Sequence, residues 1–401
     1  MDFTPSQKAL ETTEEMWDFM RTHVFPAEAV WSDYLRAHGE HEHPPVMEEL
    51  KAEARRRGLW NLFLPQLSGL SNLEYAGVAE ISGWSPVLAP EAINCNAPDT
   101  GNMETLELFA TPEQRAQWLE PLLAGEIRSA FAMTEPDVAS SDATNITTQI
   151  VREGDDYVIN GRKWFITGVA DERCKIFIVM GKTDPTAEVH RQQSMILVPR
   201  DTPGVEIVRH LPLFGFQDQH GHSEIVFRDV RVPASNLLSG EGEGFAIAQA
   251  RLGPGRIHHA MRAIGMAERA LALMVDRAKS RVAFGKHLSE QANVQDLIAQ
   301  SRIEIDQARL LVQKAAWLID QGGAANARTE ISEIKVAAPA VAVAVIDRAI
   351  EIHGAAGLSD DTPLAFFYAW ARALRVVDGP DAVHRRTIAR MELKRTPPHV
   401  G

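Results

Sequence analysis

The 401-residue sequence predicts an α+β protein of three successive parts, helical, then β, then helical, and three observations carry that prediction. Helix-start and helix-stop residues punctuate residues 1–126, and β-rich runs between turn residues fill 127–238. Long Ala-rich stretches with apolar residues at 3.6 spacing fill 239–401. An apolar content of 45% allows a large buried core, and no internal repeat or low-complexity tract interrupts the pattern.

Taken in order, Thr4-Pro5 predicts a capped helix start. "PPVMEELKAEARRRG" reads as a helix stopped at Gly58, and Thr111-Pro112 opens another that stops at Gly125. The runs "SAFAMTE", "TTQIVRE", "DYVING", "KIFIVMG", "SMILVPR", "GVEIVRH" and "SEIVFRDVRV" read as strands. Turn signals at Glu153-Gly154-Asp155-Asp156 and Asn160-Gly161 predict an antiparallel domain, a small barrel or sandwich. Residues 256–282, 293–322 and 327–357 read as the long helices of a bundle. Near the C-terminus an aliphatic run delivers Asp378 onto Gly379-Pro380, ahead of a last helix with Pro380 expected in its first position. Asp378 is then either a capping acid or a base.

Composition excludes several classes of function. A formal charge of −13 argues against a nucleic-acid partner, whose phosphates need Lys and Arg. Cys95 and Cys174 lack CxxC spacing, so neither a disulfide framework nor a zinc site is expected, and a reducing compartment is the default. His38, His41 and His43 lack the helical i, i+4 spacing of metal ligands. In "SGEGEGF", Glu241 and Glu243 would repel an anion. The N-terminus has no basic, apolar leader pattern and no run reaches membrane-spanning length, so a soluble cytoplasmic protein is expected.

Two segments carry candidate chemistry. "FAMTEPDVASSDATNI" gathers Thr134, Ser140, Ser141 and Thr144 in a loop after a strand, either an ordinary polar loop or a cradle for phosphate or a ring heteroatom. "NGRKWFITG" places Trp164 and Phe165 after a turn signal, as core or as site. With "RVAFGKHL" (281–288) and "EIHGAAG" (351–357), these segments give four ordered motifs. On them the whole chain resembles the acyl-CoA dehydrogenases. Their T-E-P-x-A-G-S-D signature is similar to "MTEPDVASSDA", which has one extra residue, and their N-G-x-K-x-W-I-T strand to "NGRKWFIT". Their R-x-x-F-G-K-x-L element and Q-x-x-G-G-x-G stretch match the other two, with Glu351 in place of Gln and Ala355 in place of Gly. "ARLGPGRIHHAMR" and "DGPDAVH" resemble the branch of family members ten and eleven, whose larger eukaryotic members carry an upstream kinase-like domain; at 401 residues none is expected here.

The resemblance implies an N-terminal helical domain (1–126), a middle β domain (127–238) and a C-terminal four-helix bundle (239–401). It implies FAD as cofactor. Phe131, Met133, Thr134, Trp164, Phe165 and Thr167 would meet the flavin, Ser140 and Ser141 the pyrophosphate, and Ser141 also the CoA. Arg281 and Phe284 would reach the FAD of a neighbouring subunit, with Gln295, Glu351, Gly354 and Ala355 close to its adenosine. Pro380 and Ala382 would also contact the cofactor, and Gly253, Arg256, His259 and Gly379 the substrate. An acid at 351 near pyrophosphate is unfavourable, which sets that contact apart. His258 and His259 read as structural or as substrate-lining.

In this family a carboxylate removes the α-proton of an acyl-CoA thioester while hydride leaves the β-carbon for flavin. The thioester oxygen is held by a ribityl hydroxyl and by the N–H of the base residue. Most members carry Glu where this chain has Asp378; a minority place it on an earlier helix, at the position of Gly255 here. Asp378 is therefore the family-consistent base, with Asp381 the fallback. The resemblance implies an acyl-CoA dehydrogenase that forms a trans-2-enoyl-CoA, passes electrons to an electron-transfer flavoprotein, and assembles as a homodimer or homotetramer. A nitroalkane-oxidase-like flavin oxidase and a non-catalytic flavoprotein are the alternatives.

Overall fold

The computed structural model describes residues 1–217 and 220–395, and for 252–254 the backbone alone. Packing divides the chain into two discontinuous units. One comprises Met1–Phe25, Pro65–Pro90 and Arg256–Gly401; the other comprises Pro26–Leu64 and Glu91–Gly255. Helices of the first 126 residues are thus distributed over both.

The second unit contains the sheet. Its strands are β1 (Arg128–Ala132), β2 (Gln149–Glu153), β3 (Asp156–Thr167), β4 (Cys174–Lys182), β5 (Gln193–Pro199), β6 (Val205–His210) and β7 (His222–Pro233). They lie in the order β1-β4-β2-β3-β7-β6, with β5 on β4. The antiparallel texture holds for β2/β3, β3/β7, β6/β7 and β4/β5. In contrast, β1 and β2 each pair β4 in parallel. The β2–β3 hairpin intervenes between β1 and β4, so their pairing is a crossover that local turn signals do not report. Tyr157, Ile159, Phe177, Val179, Ile196 and Phe227 pack the buried face.

The two predicted turns part company. Gly154, at φ +65°, makes the β2–β3 hairpin, with Glu153 opposite Asp156. Asn160-Gly161 instead lies inside β3, at a register shift against β7. A Cβ at 161 would stand 2.3 Å from Thr148 Oγ1, so glycine is required there for close approach. Asn160 and Asp229 close the bulge, the Asn160 amide donating to Oδ1 at 3.0 Å and the Asp229 N–H to Asn160 Oδ1 at 2.8 Å.

In the helical unit the first helix is Gln7–Phe19, capped by Ser6, whose hydroxyl accepts from the Ala9 N–H. Thr4, the expected cap, bonds Asp2 instead. Asn72–Ser82 carries a Ser71/Glu74 capping box. Ala292–Asn326, which is non-helical at Gly322 and Gly323, and Arg328–His353 form a bundle with residues 256–280 of the helix Gly244–Ser280. Ile264, Ile305, Val312, Ile334, Val345 and Ile346 are buried in it. The shorter helices Leu364–Ala373 and Asp381–Glu392 complete the unit. Among the described residues no helix is long and apolar enough to cross a membrane.

Within the sheet unit lies a buried ionic cluster. Glu91 faces Lys51 and Arg128 at 3.2 Å each and Arg173 at 2.9 Å, while His220 stands 3.1 Å from Glu91 and 3.2 Å from Asp171. Burial opposes ionisation of both acids, but His220 and the arginines hold them well below the carboxylate range. Burial likewise opposes a charged imidazole, yet the two acids raise His220 to about 9. A raised histidine stabilises fully below its unfolded value and is lost as pH climbs through the folded one; the depressed acids lose their contribution as pH falls below the ordinary carboxylate range. Thermal stability should therefore plateau between about pH 4.5 and 6.5 and decline towards pH 9, by on the order of 3 kcal/mol from His220. Melting temperatures across that range test this, and His220→Gln should remove the alkaline decline.

Candidate functional site

In the sheet unit the two sequence motifs are brought side by side. Thr134 donates its hydroxyl to the Trp164 carbonyl at 2.6 Å, and the Trp164 N–H returns to the Thr134 carbonyl at 3.0 Å. Lys163, fully buried, fastens them from below by donating to the Met133 and Met180 carbonyls at 2.8 and 2.7 Å and to Glu135 Oε1 at 2.9 Å. Glu135 also accepts from the N–H and hydroxyl of both Thr147 and Thr148. Burial would raise the Glu135 carboxyl, but Lys163 and the threonine donors hold it at about 2. Burial pulls the Lys163 ammonium down to about 8, so the two remain a charged pair at neutral pH.

Beyond Lys163 the β3/β7 register shifts again, and the chain turns Phe165 outward at φ +49°, 41% exposed. A ring held in that sparsely populated conformation and presented to solvent suits a planar aromatic ligand. Trp164 packs edge-on against it with centroids 5.0 Å apart. Half-buried Met133, Thr134, Trp164 and Thr167 flank it, and Thr167 bonds His222 at 2.9 Å. Phe131 is also half-buried, beneath the Arg251 guanidinium at 4.0 Å. Ser140 turns inward: its hydroxyl accepts from the Glu135 N–H at 2.8 Å and donates to the Glu135 carbonyl. Ser141 is exposed.

In the helical unit the turn after Leu364–Ala373 carries Asp378 at φ +55° and Gly379 at φ +101°. Pro380, expected at the first helical position, is the N-cap residue of Asp381–Glu392, and no side chain caps that helix. Asp378 therefore stands two residues ahead of the cap. Its main-chain carbonyl accepts from Arg256 Nε at 3.0 Å and from His384 Nε2 at 3.3 Å. A Cβ at Gly379 would meet that ring nitrogen at 2.9 Å, so the residue beside Asp378 has no room for a side chain. Lys335, also fully buried, donates to the Leu374 carbonyl and so ties the start of the turn. Asp381 is engaged by Arg375 at 2.6 Å, which occupies the fallback acid.

The Asp378 carboxylate faces His259, whose Nε2 lies 3.4 Å from Oδ2. Burial lowers His259, with Asp378 opposing. His258 turns to Tyr75, edge-on at 5.2 Å, and burial takes it down to about 3, a neutral core histidine. Burial lowers His384 to about 4 and Lys335 to about 8. Lys163, Glu135, Lys335 and His384 were not singled out from the sequence.

The residues expected near the adenosine lie on exposed surface. Arg281 opens a hairpin, Val282–Ala283 against Lys286–His287, whose tip bears Phe284 at φ +54° and 98% exposed. Gln295, Glu351, Gly354, Ala355 and Ala382 are exposed, and Pro380 is half-buried. Gly253 lies outside the described residues apart from its place in the helix Gly244–Ser280. Within the sheet unit the outward Phe165 at its strand bulge offers a face that suits a flavin ring, and within the helical unit the exposed Arg281 and the positive-φ Gly354, with open space around it, suit the phosphates and adenosine of a dinucleotide such as FAD.

Comparison with known proteins identifies the family. The family descriptions "Acyl-CoA dehydrogenase, middle domain" and "Acyl-CoA dehydrogenase, C-terminal domain" match residues 130–230 and 242–393. The probable acyl-CoA dehydrogenase FadE2 of Mycobacterium tuberculosis is 66% identical over 397 residues, 98% of each chain. Acyl-CoA dehydrogenase family member 11 of Rattus norvegicus is 53% identical over 399 residues, 98% of this chain and 51% of that protein, so the chain spans about half its length. A solved structure from Mycobacterium abscessus, described as an acyl-CoA dehydrogenase, superposes with a TM-score of 0.94 at 52% identity, covering 97% of this chain and 99% of that one.

Proposed function

Because the chain belongs to the acyl-CoA dehydrogenase family, FAD-dependent oxidoreductases of acyl-CoA thioesters, we propose that Asp378 is the base in the α,β-dehydrogenation of an acyl-CoA. The observation that carries this is the turn itself. Asp378 is displaced from the cap position, so its carboxylate is not spent on the helix N–H groups, and Arg256 and His384 hold its main-chain carbonyl. When bound, FAD supplies the hydride acceptor. The Cα–H bond breaks with its proton passing to Asp378, the hydride leaves Cβ, and the product is the trans-2-enoyl-CoA. The Asp378 N–H donates to the thioester oxygen, where charge develops. Phe131, Met133, Thr134, Trp164, Phe165 and Thr167 line the flavin, Ser140 and Ser141 lie near its pyrophosphate, and Ser141, Gly253, Arg256, His259 and Gly379 border the acyl-CoA.

The remaining parts of the proposal are a three-part organisation with boundaries at 126/127 and 238/239, a cytoplasmic location, and electron transfer to an electron-transfer flavoprotein. A homodimer or homotetramer completes it, with Arg281 and Phe284 serving the partner's FAD. The exposure of both residues supports this last part. Anaerobic titration of the purified yellow protein with a panel of acyl-CoAs should bleach the flavin for at least one chain length. An absence of bleaching across the panel refutes the reading, and rapid reoxidation by dioxygen favours an oxidase. Arg281→Ala should weaken FAD retention by roughly 1.5–3 kcal/mol, the worth of a charge-assisted contact, without unfolding the chain. An unchanged flavin dissociation constant would return Arg281 to the solvated surface.

A further inference from the structure

The contacts on the Asp378 main chain fix the turn but leave the two side-chain torsions of the acid to something else. Small misplacement of a reacting group is costly, so a base on a turn flanked by exposed Val376 and Val377 needs its carboxylate steadied. A cation on that carboxylate would hold it at the expense of basicity. The cations near it feel its charge but direct their hydrogen bonds to other acceptors. Arg256 bonds the 378 carbonyl, Lys335 the Leu374 carbonyl, and Arg375 the Asp381 carboxylate. Burial keeps His258 and His384 neutral.

Arg262 plays a different part. Its Nη2 stands 3.5 Å from His259 Nδ1, and a guanidinium has only donors to offer. Nδ1 must therefore accept, which leaves the imidazole proton on Nε2, the nitrogen 3.4 Å from Asp378 Oδ2. We propose that His259 is the positioning residue of the base, its tautomer set by Arg262 and its Nε2–H donated to the Asp378 carboxylate. The chain Arg262, His259, Asp378 orients the acid through a neutral donor. This rests on the reading of Asp378 as base.

The test compares the flavin-loaded parent with His259→Leu, His259→Gln and Arg262→Met, using the acyl-CoA that bleaches the parent fastest. Binding is read from perturbation of the flavin spectrum and reduction from anaerobic stopped flow across pH. His259→Leu should slow reduction by ~10- to 10²-fold, a larger factor than any weakening of acyl-CoA binding read in the same titration. Loss of the donor raises the carboxyl pKa, so the acid limb of the rate profile should move to higher pH. Gln retains an N–H donor and should restore most of the rate and the parent limb. Arg262→Met should shift the limb in the same direction by a smaller amount, and it decides the matter should the Leu variant fail to hold FAD. Parent-like rate and limb in His259→Leu overturn the proposal, as does equal loss in Leu and Gln with an unmoved limb, which denotes packing. Asp378→Asn, run alongside, separates the two readings: if it reduces its flavin at the parent rate the base assignment itself falls, whereas an inactive Asn variant beside a normal His259→Leu sinks the His259 role alone.

Discussion

Asp378→Asn should bind acyl-CoA, perturb the flavin spectrum and yet reduce its flavin at least ~10²-fold more slowly than the parent. The substitution isolates the chemistry unusually well. Position 378 holds φ +55°, and Asn is among the few residues that tolerate that region. The bonds from Arg256 and His384 run to the main-chain carbonyl, so they survive the exchange. What disappears is the capacity to accept a proton. Asp378→Glu asks a sharper question, because it restores the commoner family acid with one added methylene. A turn built for the shorter arm will misplace the longer one, and a displacement of that order can cost about 10²-fold. Full activity in Glu would leave the base assigned and the turn untuned to Asp. A parent-like reduction rate in Asn would leave Asp378 with no role in proton transfer. Asp381→Asn is expected to loosen the Arg375 tie while the variant keeps turning over.

How far the sequence reports such features depends on whether the deciding contact is local. Ser71, Thr111, Gly58 and Gly125 mark helix ends through bonds or backbone angles within a few residues, and the pattern predicts helix ends at Thr111, Gly58 and Gly125. Asn160-Gly161 has the local chemistry of a hairpin, but its geometry is set by Thr148 and Asp229, distant in sequence, and it becomes a bulge inside β3. The parallel β1/β4 pairing is hidden for the same reason. Lys335 did leave a signal. It shares the helical face of Ile331, Ile334, Ala338 and Ala342, all buried, and a lysine on an apolar stripe calls for acceptors at its tip. What stripe periodicity does not supply is the acceptor, a carbonyl 39 residues away. Asp378 shows the limit most plainly: the Asp-Gly-Pro run predicts a turn before a helix, and His384 of that same helix holds the turn from close by, but the Arg256 bond to the 378 carbonyl comes from 122 residues away, which no local pattern reports.

Lys163→Met should destabilise the protein by about 3–5 kcal/mol and weaken FAD retention, because it breaks a buried charge pair from one side. Lys163 has no exposed surface, and its three acceptors are the Met133 carbonyl, the Met180 carbonyl and Glu135. Methionine fills similar volume but leaves both carbonyls without that donor and Glu135 ionised beside an apolar chain, supported by Thr147 and Thr148 alone. The damage should be felt at the flavin edge, since Met133 and Thr134 lie in the segment just after β1 that Lys163 fastens. Glu135→Gln in the same chain removes the uncompensated charge, so the double variant should recover part of the loss, a coupling that independent contacts would not show. Denaturant midpoints for parent, both singles and the double, together with the flavin dissociation constant of each, measure the two effects separately. Additive losses would mean that Lys163 and Glu135 act independently, and a Lys163→Met protein as stable as the parent would show that the two carbonyls find other donors when the ammonium is gone.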